Sequence, residues 1–347
     1  MKAVVFEGYK TFPVMKEVDK PSPGPGEVLL KVAGSGACHS DVGLFHEYPG
    51  DPSGFLTPPF VLGHEVSGWV EELGAGVSGV TVGQAYLVYG PIGCGHCVSC
   101  ARGQDTYCLD VPSVGHLGTG LGRDGGMAEY MTTYARNLVP LGDLDPVAAA
   151  PLTDASLTCY HAIKRVLPHL TTPGATALCI GLGGLGLAGV QIIRALTGAT
   201  VYATDTKPDA VAVAETYGAI GIPTEGAAER IKQLTGGRGI SAVFDFVGAG
   251  PTLELAAATV AQRGALTVLG LAGHDFAWNA FTVPFEVNFS CTYWGGLDEL
   301  FEVVELYRTG KITPRVQVYP LDRALDAYQD LLDGKVSGRA VIAPHGG

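Results

Sequence analysis

No stretch of this 347-residue sequence reaches the roughly 18 uninterrupted apolar residues that a membrane span requires. The start, MKAVVFEGYK, carries Glu7 and no long apolar region, so it does not read as a signal peptide. Basic residues are scarce. The 22 Lys and Arg stand against 34 Asp and Glu, a formal charge of −12. That deficit argues against nonspecific nucleic-acid binding, which relies on clustered cations. It argues equally against anchoring to an anionic membrane face. Charged residues of all kinds reach only 16%, against 47% hydrophobic, a composition for packed cores rather than disorder. The 50 glycines follow no fixed period, which excludes collagen and repeat architectures.

What is present is organised in two textures. Up to about residue 150 the chain reads as short strands and turns, with EVLLKVAGSG, EVSGWVEELG and QAYLVYG as β-rich runs. From about Thr172 strands and helices alternate. TALCI, TVYATD, GIPT, SAVFDFVG and ALTVLGLAG read as strands. LGLAGVQIIRALT, PDAVAVAETYG, AAERIKQLTG and TLELAAATVAQ read as the helices between them. This alternation predicts an α/β protein with a doubly wound parallel sheet. Beyond about residue 290 the pattern breaks. The helix LDELFEVVELYRTG, a second helix around Leu321 to Leu332 and the closing strand GRAVIA could complete the first domain. The expected division is therefore 1–155 with 291–347, and 156–290. A chain of this length suits two domains.

Gly181, Gly183 and Gly186 form G-x-G-x-x-G, with Gly184 and Leu185 inside it, between a strand and a helix. The first glycine permits the tight turn, the second lets the backbone approach a pyrophosphate, and the third lets helix and strand pack closely. The helix N-terminus offers free N–H groups to phosphates. Asp205 ends the next strand, where a carboxylate accepts ribose hydroxyls and repels a 2′-phosphate, so NAD(H) is favoured over NADP(H). The competing role for Asp205 is to cap the following helix. Val247, Gly248, Leu269, Gly270 and Leu271 end later strands and are candidates to edge the nicotinamide.

Four of the eight cysteines, Cys94, Cys97, Cys100 and Cys108, have the spacing C-x2-C-x2-C-x7-C. In a long chain without an export signal such a cluster is a metal site before it is a disulfide framework, and a reducing, cytoplasmic compartment fits. Four thiolates suit a closed, structural Zn²⁺; an iron–sulfur cluster is the runner-up. The remaining chemistry lies in Cys38-His39-Ser40-Asp41, Gly63-His64-Glu65 and Asp154.

Together these motifs resemble the zinc-dependent medium-chain alcohol dehydrogenases. Gly63-His64-Glu65, with Gly68, Gly74 and Val77, matches that family's zinc signature, and the cysteine quartet matches its structural-zinc lobe. The stretch Asp143 to Leu157 and Tyr293-Trp294-Gly295 look most like the bacterial secondary-alcohol dehydrogenases. The resemblance implies a GroES-like catalytic domain joined to a Rossmann domain, and two zinc ions with NAD(H). It implies that Cys38, His64 and Asp154 bind the catalytic zinc. Many relatives carry a second Cys where this chain has Asp154. Asp41 would hold His64, Glu65 would sit behind the metal, Ser40 would begin a proton relay and His39 would face the cofactor phosphates. Relatives of the animal type place a His where this chain has Gly43, so the relay beyond Ser40 has no assigned carrier. Gln84 replaces a frequent Asp. Phe45, Tyr48, Phe55, Tyr293 and Trp294 are candidates for an apolar pocket suited to an alcohol or carbonyl compound, a secondary alcohol or ketone before a polyol. Relatives are dimers or tetramers, which implies a homo-oligomer. The competing readings are a polyol dehydrogenase, a non-catalytic zinc-stabilised NAD(H)-binding redox sensor, and a zinc-free quinone-reductase-like enzyme.

Overall fold

The computed structural model describes every residue except His274, Ala280 and Gly347. It divides into two compact units, one of Met1–Leu157, Gly295–Arg308 and Pro314–Gly347, the other of Thr158–Trp294 and Thr309–Thr313.

The first unit is built on a sheet whose centre is the long strand Glu27–Ala37. Its sequence, EVLLKVAGSGA, has Val28, Leu30 and Val32 on one face and is buried almost throughout. Glu65–Leu73 pairs with it antiparallel, and Ala85–Val88 and Leu138–Pro140 extend the sheet. Tyr130–Tyr134 also pairs with the central strand. The other side is closed by the end of the chain. Arg339–Ala343 runs antiparallel to it, with Ala340 opposite Ala37 and Val341 opposite Gly36, and Val316–Pro320 pairs parallel outside. The C-terminal strand thus lies beside the stretch that ends at Cys38. Val28, Leu30, Val32, Val66, Val70, Val88 and Met131 form one core of this unit.

The second unit is a six-stranded parallel sheet. Its spatial order is Ile220–Gly221, Thr200–Thr204, Thr176–Ile180, Ile240–Asp245, Val260–Val268 and Asn288–Cys291. Numbered along the chain this is 3-2-1-4-5-6, the doubly wound order in which ligands bind where the winding reverses. Its core gathers Leu178, Ile180, Ile231, Ile240, Val243, Leu266 and Val268.

Several boundaries differ from expectation, among them the strand ALTVLGLAG, which ends at Val268. The helix expected to run through Gln262 ends at Thr259, and Val260 already belongs to the following strand. Val260 is β-branched and buried, and its place opposite Ile240 in the sheet outweighs the helical texture of the residues before it. The short strand expected to end in GIPT is Ile220–Gly221 and stops at the first residue of that run. No described helix is long and apolar enough to cross a membrane.

Candidate functional site

Cys38 leaves the central strand and caps the short helix His39–Val42. Asp41, three residues on, turns back so that its Oδ2 accepts the Cys38 N–H at 3.1 Å. One tight turn therefore presents a thiol and buries a carboxylate beside it. His64 directly precedes the neighbouring strand Glu65–Leu73. Asp154 stands between the turn Ala150–Thr153 and the helix Ala155–Arg165.

These elements bring together one ligand atom each from Cys38, His64, Glu65 and Asp154, all within 4.8 Å of one another. Asp154 Oδ2 lies 3.7 Å from Cys38 Sγ and 3.5 Å from His64 Nε2. Bonds of about 2.0–2.3 Å to a tetrahedral zinc ion place its ligand atoms roughly 3.3–3.8 Å apart, and both distances from Asp154 fall in that range. The electrostatics agree. Asp41, Glu65 and Asp154 are three carboxylates in one largely buried cluster, and such a cluster demands positive charge, part of which Arg339 supplies beside Glu65 and 3.6 Å from Asp154 Oδ2. The demand is visible on His64. Burial works against its imidazolium, yet Asp41 and Asp154 beside it hold its pKa well above the usual value. A metal ion on Nε2 answers the same demand with the ring neutral.

Around these ligands Asp41 Oδ1 lies 3.2 Å from His64 Nδ1, and Ser40 Oγ lies 3.4 Å from His64 Nε2. Tyr328 donates its hydroxyl to Asp41 Oδ2 at 2.9 Å. Arg339 grips Glu65 through both carboxylate oxygens and places Nη2 3.3 Å from Cys38 Sγ. Burial pushes the Glu65 carboxyl up to about 7, with Asp154 adding to the rise and Arg339 opposing it. His39 is exposed. Tyr328 and Arg339 escaped the sequence reading, because nothing local marks a Tyr in a terminal helix or an Arg opening a strand. The antiparallel pairing of the C-terminal strand with Gly36 and Ala37 is what delivers Arg339.

At Gly43, where the relay residue is missing, an added Cβ would meet the Tyr48 ring at 2.9 Å. Tyr48 fills the space that a larger residue there would enter. Burial, then Glu47 and Cys38, push the Tyr48 phenol up, which places it in the field of the thiol. Of the other pocket candidates, Phe45 is buried with its ring edge-on to Tyr328 and Phe12. Phe55 is half-buried. In the second unit Trp294 is buried and Tyr293 is exposed.

The Cys lobe is a separate cluster. The sulfurs of Cys94, Cys97, Cys100 and Cys108 all lie within 4.8 Å of one another, with Cys97 to Cys100 at 3.4 Å and Cys94 to Cys100 at 4.0 Å. Backbone N–H groups of Cys94, Cys97, Leu109 and Asp110 point at these sulfurs, an arrangement that favours thiolates. The spacing suits one tetrahedral ion, tighter than a multi-iron cluster would leave its thiolates. Arg136 and Asp105, neither singled out in the sequence, close the base of the lobe. Arg136 pairs with the buried Asp105 at 2.7 Å and donates to the Gly93 carbonyl at 3.0 Å.

In the second unit the glycine motif sits at the C-terminal end of Thr176–Ile180, and Gly183 caps the helix Gly184–Leu196. An added Cβ on Gly186 would meet the Gly181 carbonyl oxygen at 1.9 Å, whereas one on Gly183 would meet nothing within 4 Å. The first closeness is helix-to-strand packing; the second is open space over the helix N-terminus, where a pyrophosphate fits. The N-cap of the following helix Pro208–Thr216 is Lys207, and Asp205 holds two turns. Its Oδ1 accepts the Lys207 N–H at 2.8 Å, while Oδ2 accepts the Leu182 N–H at 2.6 Å and ties the carboxylate to the glycine turn. Val247 with Gly248 and Leu269 to Leu271 meet at the ends of adjacent strands, where the Ala272 N–H bonds to the Val247 carbonyl. Buried Asp245 organises that corner through the N–H groups of Val247 and Gly248 and the Thr252 hydroxyl.

The family model for the alcohol dehydrogenase GroES-like domain matches residues 24–143, and that for the zinc-binding dehydrogenase matches 184–309. A NAD-dependent alcohol dehydrogenase of Sulfolobus acidocaldarius is 32% identical, covering 99% of each chain. The chain belongs to the zinc-dependent medium-chain alcohol dehydrogenase family. Among solved members of that family, the alcohol dehydrogenase of Aeropyrum pernix is 32% identical and superposes with a TM-score of 0.91, covering 99% of this chain and 100% of its own. A D-arabinose 1-dehydrogenase (NADP(+)) of Saccharolobus solfataricus is also 32% identical, over 99% of this chain and 97% of its own. Identity of this size therefore leaves substrate and cofactor to be argued from individual residues.

Proposed function

We propose that this alcohol dehydrogenase interconverts secondary alcohols and ketones with NAD(H), using one catalytic zinc ion and one structural zinc ion per chain. The observation that carries the proposal is the meeting of Cys38, His64 and Asp154 within 4.8 Å of one another with Ser40 beside them. In this reading residues 1–155 and 291–347 are the catalytic domain and residues 156–290 bind the dinucleotide.

When bound by Cys38, His64 and Asp154, zinc supplies the Lewis acidity that polarises a carbonyl or makes an alcohol more acidic. NAD(H) supplies the hydride acceptor or donor. The chain's own groups do the rest. Asp41 Oδ1, 3.2 Å from His64 Nδ1, pairs with that side of the ring and thereby leaves the Nε2 lone pair for the metal. Ser40 Oγ is placed to take the alcohol proton as it passes its own onward, and to return one in reduction. Tyr48 closes the place where relatives have a relay His, so the proton leaves Ser40 through water or His39. Arg339 neutralises Glu65 and keeps it behind the ligands. Asp205 faces the adenosine ribose and rejects a 2′-phosphate, which separates this chain from NADP-using relatives.

The proposed setting is the cytoplasm, in keeping with eight free cysteines. A homo-oligomer is proposed as well. The sheet of the second unit ends in the edge strand Asn288–Cys291, and Phe289, Phe285, Phe281 and Trp278 in and before it are exposed. An open edge with exposed aromatics is a surface for a second copy of the chain.

The test is a panel of primary alcohols, secondary alcohols, polyols and sugars assayed by NADH absorbance. The proposal expects the highest kcat/KM among secondary alcohols. A sugar or polyol preferred over every monohydric alcohol would replace it.

A further inference from the structure

Asp41 carries two hydrogen bonds beyond its contact with His64. Its Oδ2 accepts two donors, the Cys38 N–H at 3.1 Å and the Tyr328 hydroxyl at 2.9 Å, and its Oδ1 faces His64 Nδ1 at 3.2 Å. Asp41 and Tyr328 are fully buried and His64 is nearly so, so bulk water does not compete for these bonds. The phenol is itself held, since the Phe45 ring meets it edge-on with centroids 5.3 Å apart. Tyr328 belongs to the helix Ala324–Leu332, 287 positions along the chain from Asp41.

We propose that Tyr328 is a positioning residue for the catalytic metal site. Its hydroxyl pins the Asp41 carboxylate against rotation, which keeps Oδ1 on His64 Nδ1 and His64 Nε2 aimed between Cys38 and Asp154. The proposal rests on the reading that Cys38, His64 and Asp154 hold zinc. A carboxylate gripped by one backbone N–H alone can pivot about that bond. With a second donor from another element its plane is set, and the imidazole plane with it. Tyr328 would thus act on the metal through two intermediaries without touching it. The alternative is that Tyr328 is a core aromatic whose hydroxyl merely finds an acceptor.

The two are separated by zinc affinity rather than by activity. Chelator competition on the zinc-loaded protein yields two release constants, one for each site. His64→Ala identifies the constant that belongs to the catalytic site. Tyr328→Phe keeps the ring and removes only the hydroxyl. A partner one bond from a ligand typically changes affinity 10–100-fold, so removal of this more distant group is expected to weaken the catalytic site by roughly threefold to tenfold. The Cys-lobe constant should not change, which also reports an intact fold. In an Asp41→Asn background, Tyr328→Phe should add nothing, since both substitutions break one chain of contacts. Unchanged catalytic-site affinity, equal loosening of both sites, or full additivity with Asp41→Asn would overturn the proposal. If His64→Ala kept both zinc ions, the underlying assignment of the ligands would fall instead.

Discussion

Arg339 Nε lies 2.9 Å from Glu65 Oε2 and 3.1 Å from Glu65 Oε1, joining the closing strand of the chain to the residue after His64. Both side chains are buried, at 5% and 0% exposure. The pair therefore sits where a lone charge is expensive.

Removing the guanidinium should leave Glu65 buried without its partner. Arg339→Ala is expected to cost about 3–5 kcal/mol of stability, as breaking a buried ion pair typically does. Arg339→Lys should cost less but not nothing, because an ammonium keeps the charge and loses the two-pronged grip. Denaturant unfolding of the three proteins measures both differences.

That pair also marks how far the sequence could be read. The alternating texture after Thr172 and the glycine motif announced the parallel sheet, because strand and helix periods are local properties. The cysteine quartet was legible for the same reason, with all four residues within one short stretch. Cys38, His64 and Asp154 were legible only as parts of a family pattern, since no single one is distinctive. Arg339 and Tyr328 were not legible at all. Their roles depend on a strand and a helix returning from the far end of the chain, and residue type alone carries no such pairing. Phe45 is an aromatic whose packing the sequence did not show: its ring lies edge-on to Phe12 and Tyr328. The early end of the helix at Thr259 shows tertiary pairing overriding local texture.

Asp205 is held by the Leu182 and Lys207 N–H groups, so its carboxylate is fixed and not free to swing from a phosphate. Asp205→Gly is expected to raise kcat/KM for NADP(H) relative to NAD(H) by at least tenfold, the equivalent of about 1.4 kcal/mol. Steady-state kinetics with both cofactors decide it. A parent protein that already prefers NADP(H) would refute the role given to Asp205.

Ser40 Oγ, 3.4 Å from His64 Nε2, is assigned the first proton step. Ser40→Ala should lower kcat roughly 10²-fold, the lower part of the range for a positioned proton-transfer group. NADH affinity, measured by fluorescence titration, should change little. Unchanged turnover would remove Ser40 from the relay.

Glu27 offers a pH prediction remote from both metal sites. Burial pushes its carboxyl up, but the Gly24 N–H and Arg123 outweigh that and hold it below the usual range. A depressed carboxylate stabilises the fold above the pKa of the unfolded chain, about 4.3, and loses that stabilisation as pH falls through its lower folded value. Glu27→Gln should therefore destabilise the protein at neutral pH by about 1 kcal/mol. The gap to the parent should close below about pH 4. A gap that persists at low pH would show that the loss comes from packing.

Turnover of this NAD(H) alcohol dehydrogenase is proposed to depend on a metal at Cys38, His64 and Asp154. The most direct test follows NADH formation from a secondary alcohol while that metal is withdrawn and returned, with zinc content recorded at each stage. Protein as purified should hold about two zinc ions per chain, one at each proposed site. Mild chelation should remove the three-ligand ion first and abolish NADH formation, and about one equivalent of zinc should restore it. NADH formed at an undiminished rate by protein that retains only the four-thiolate ion would contradict the account.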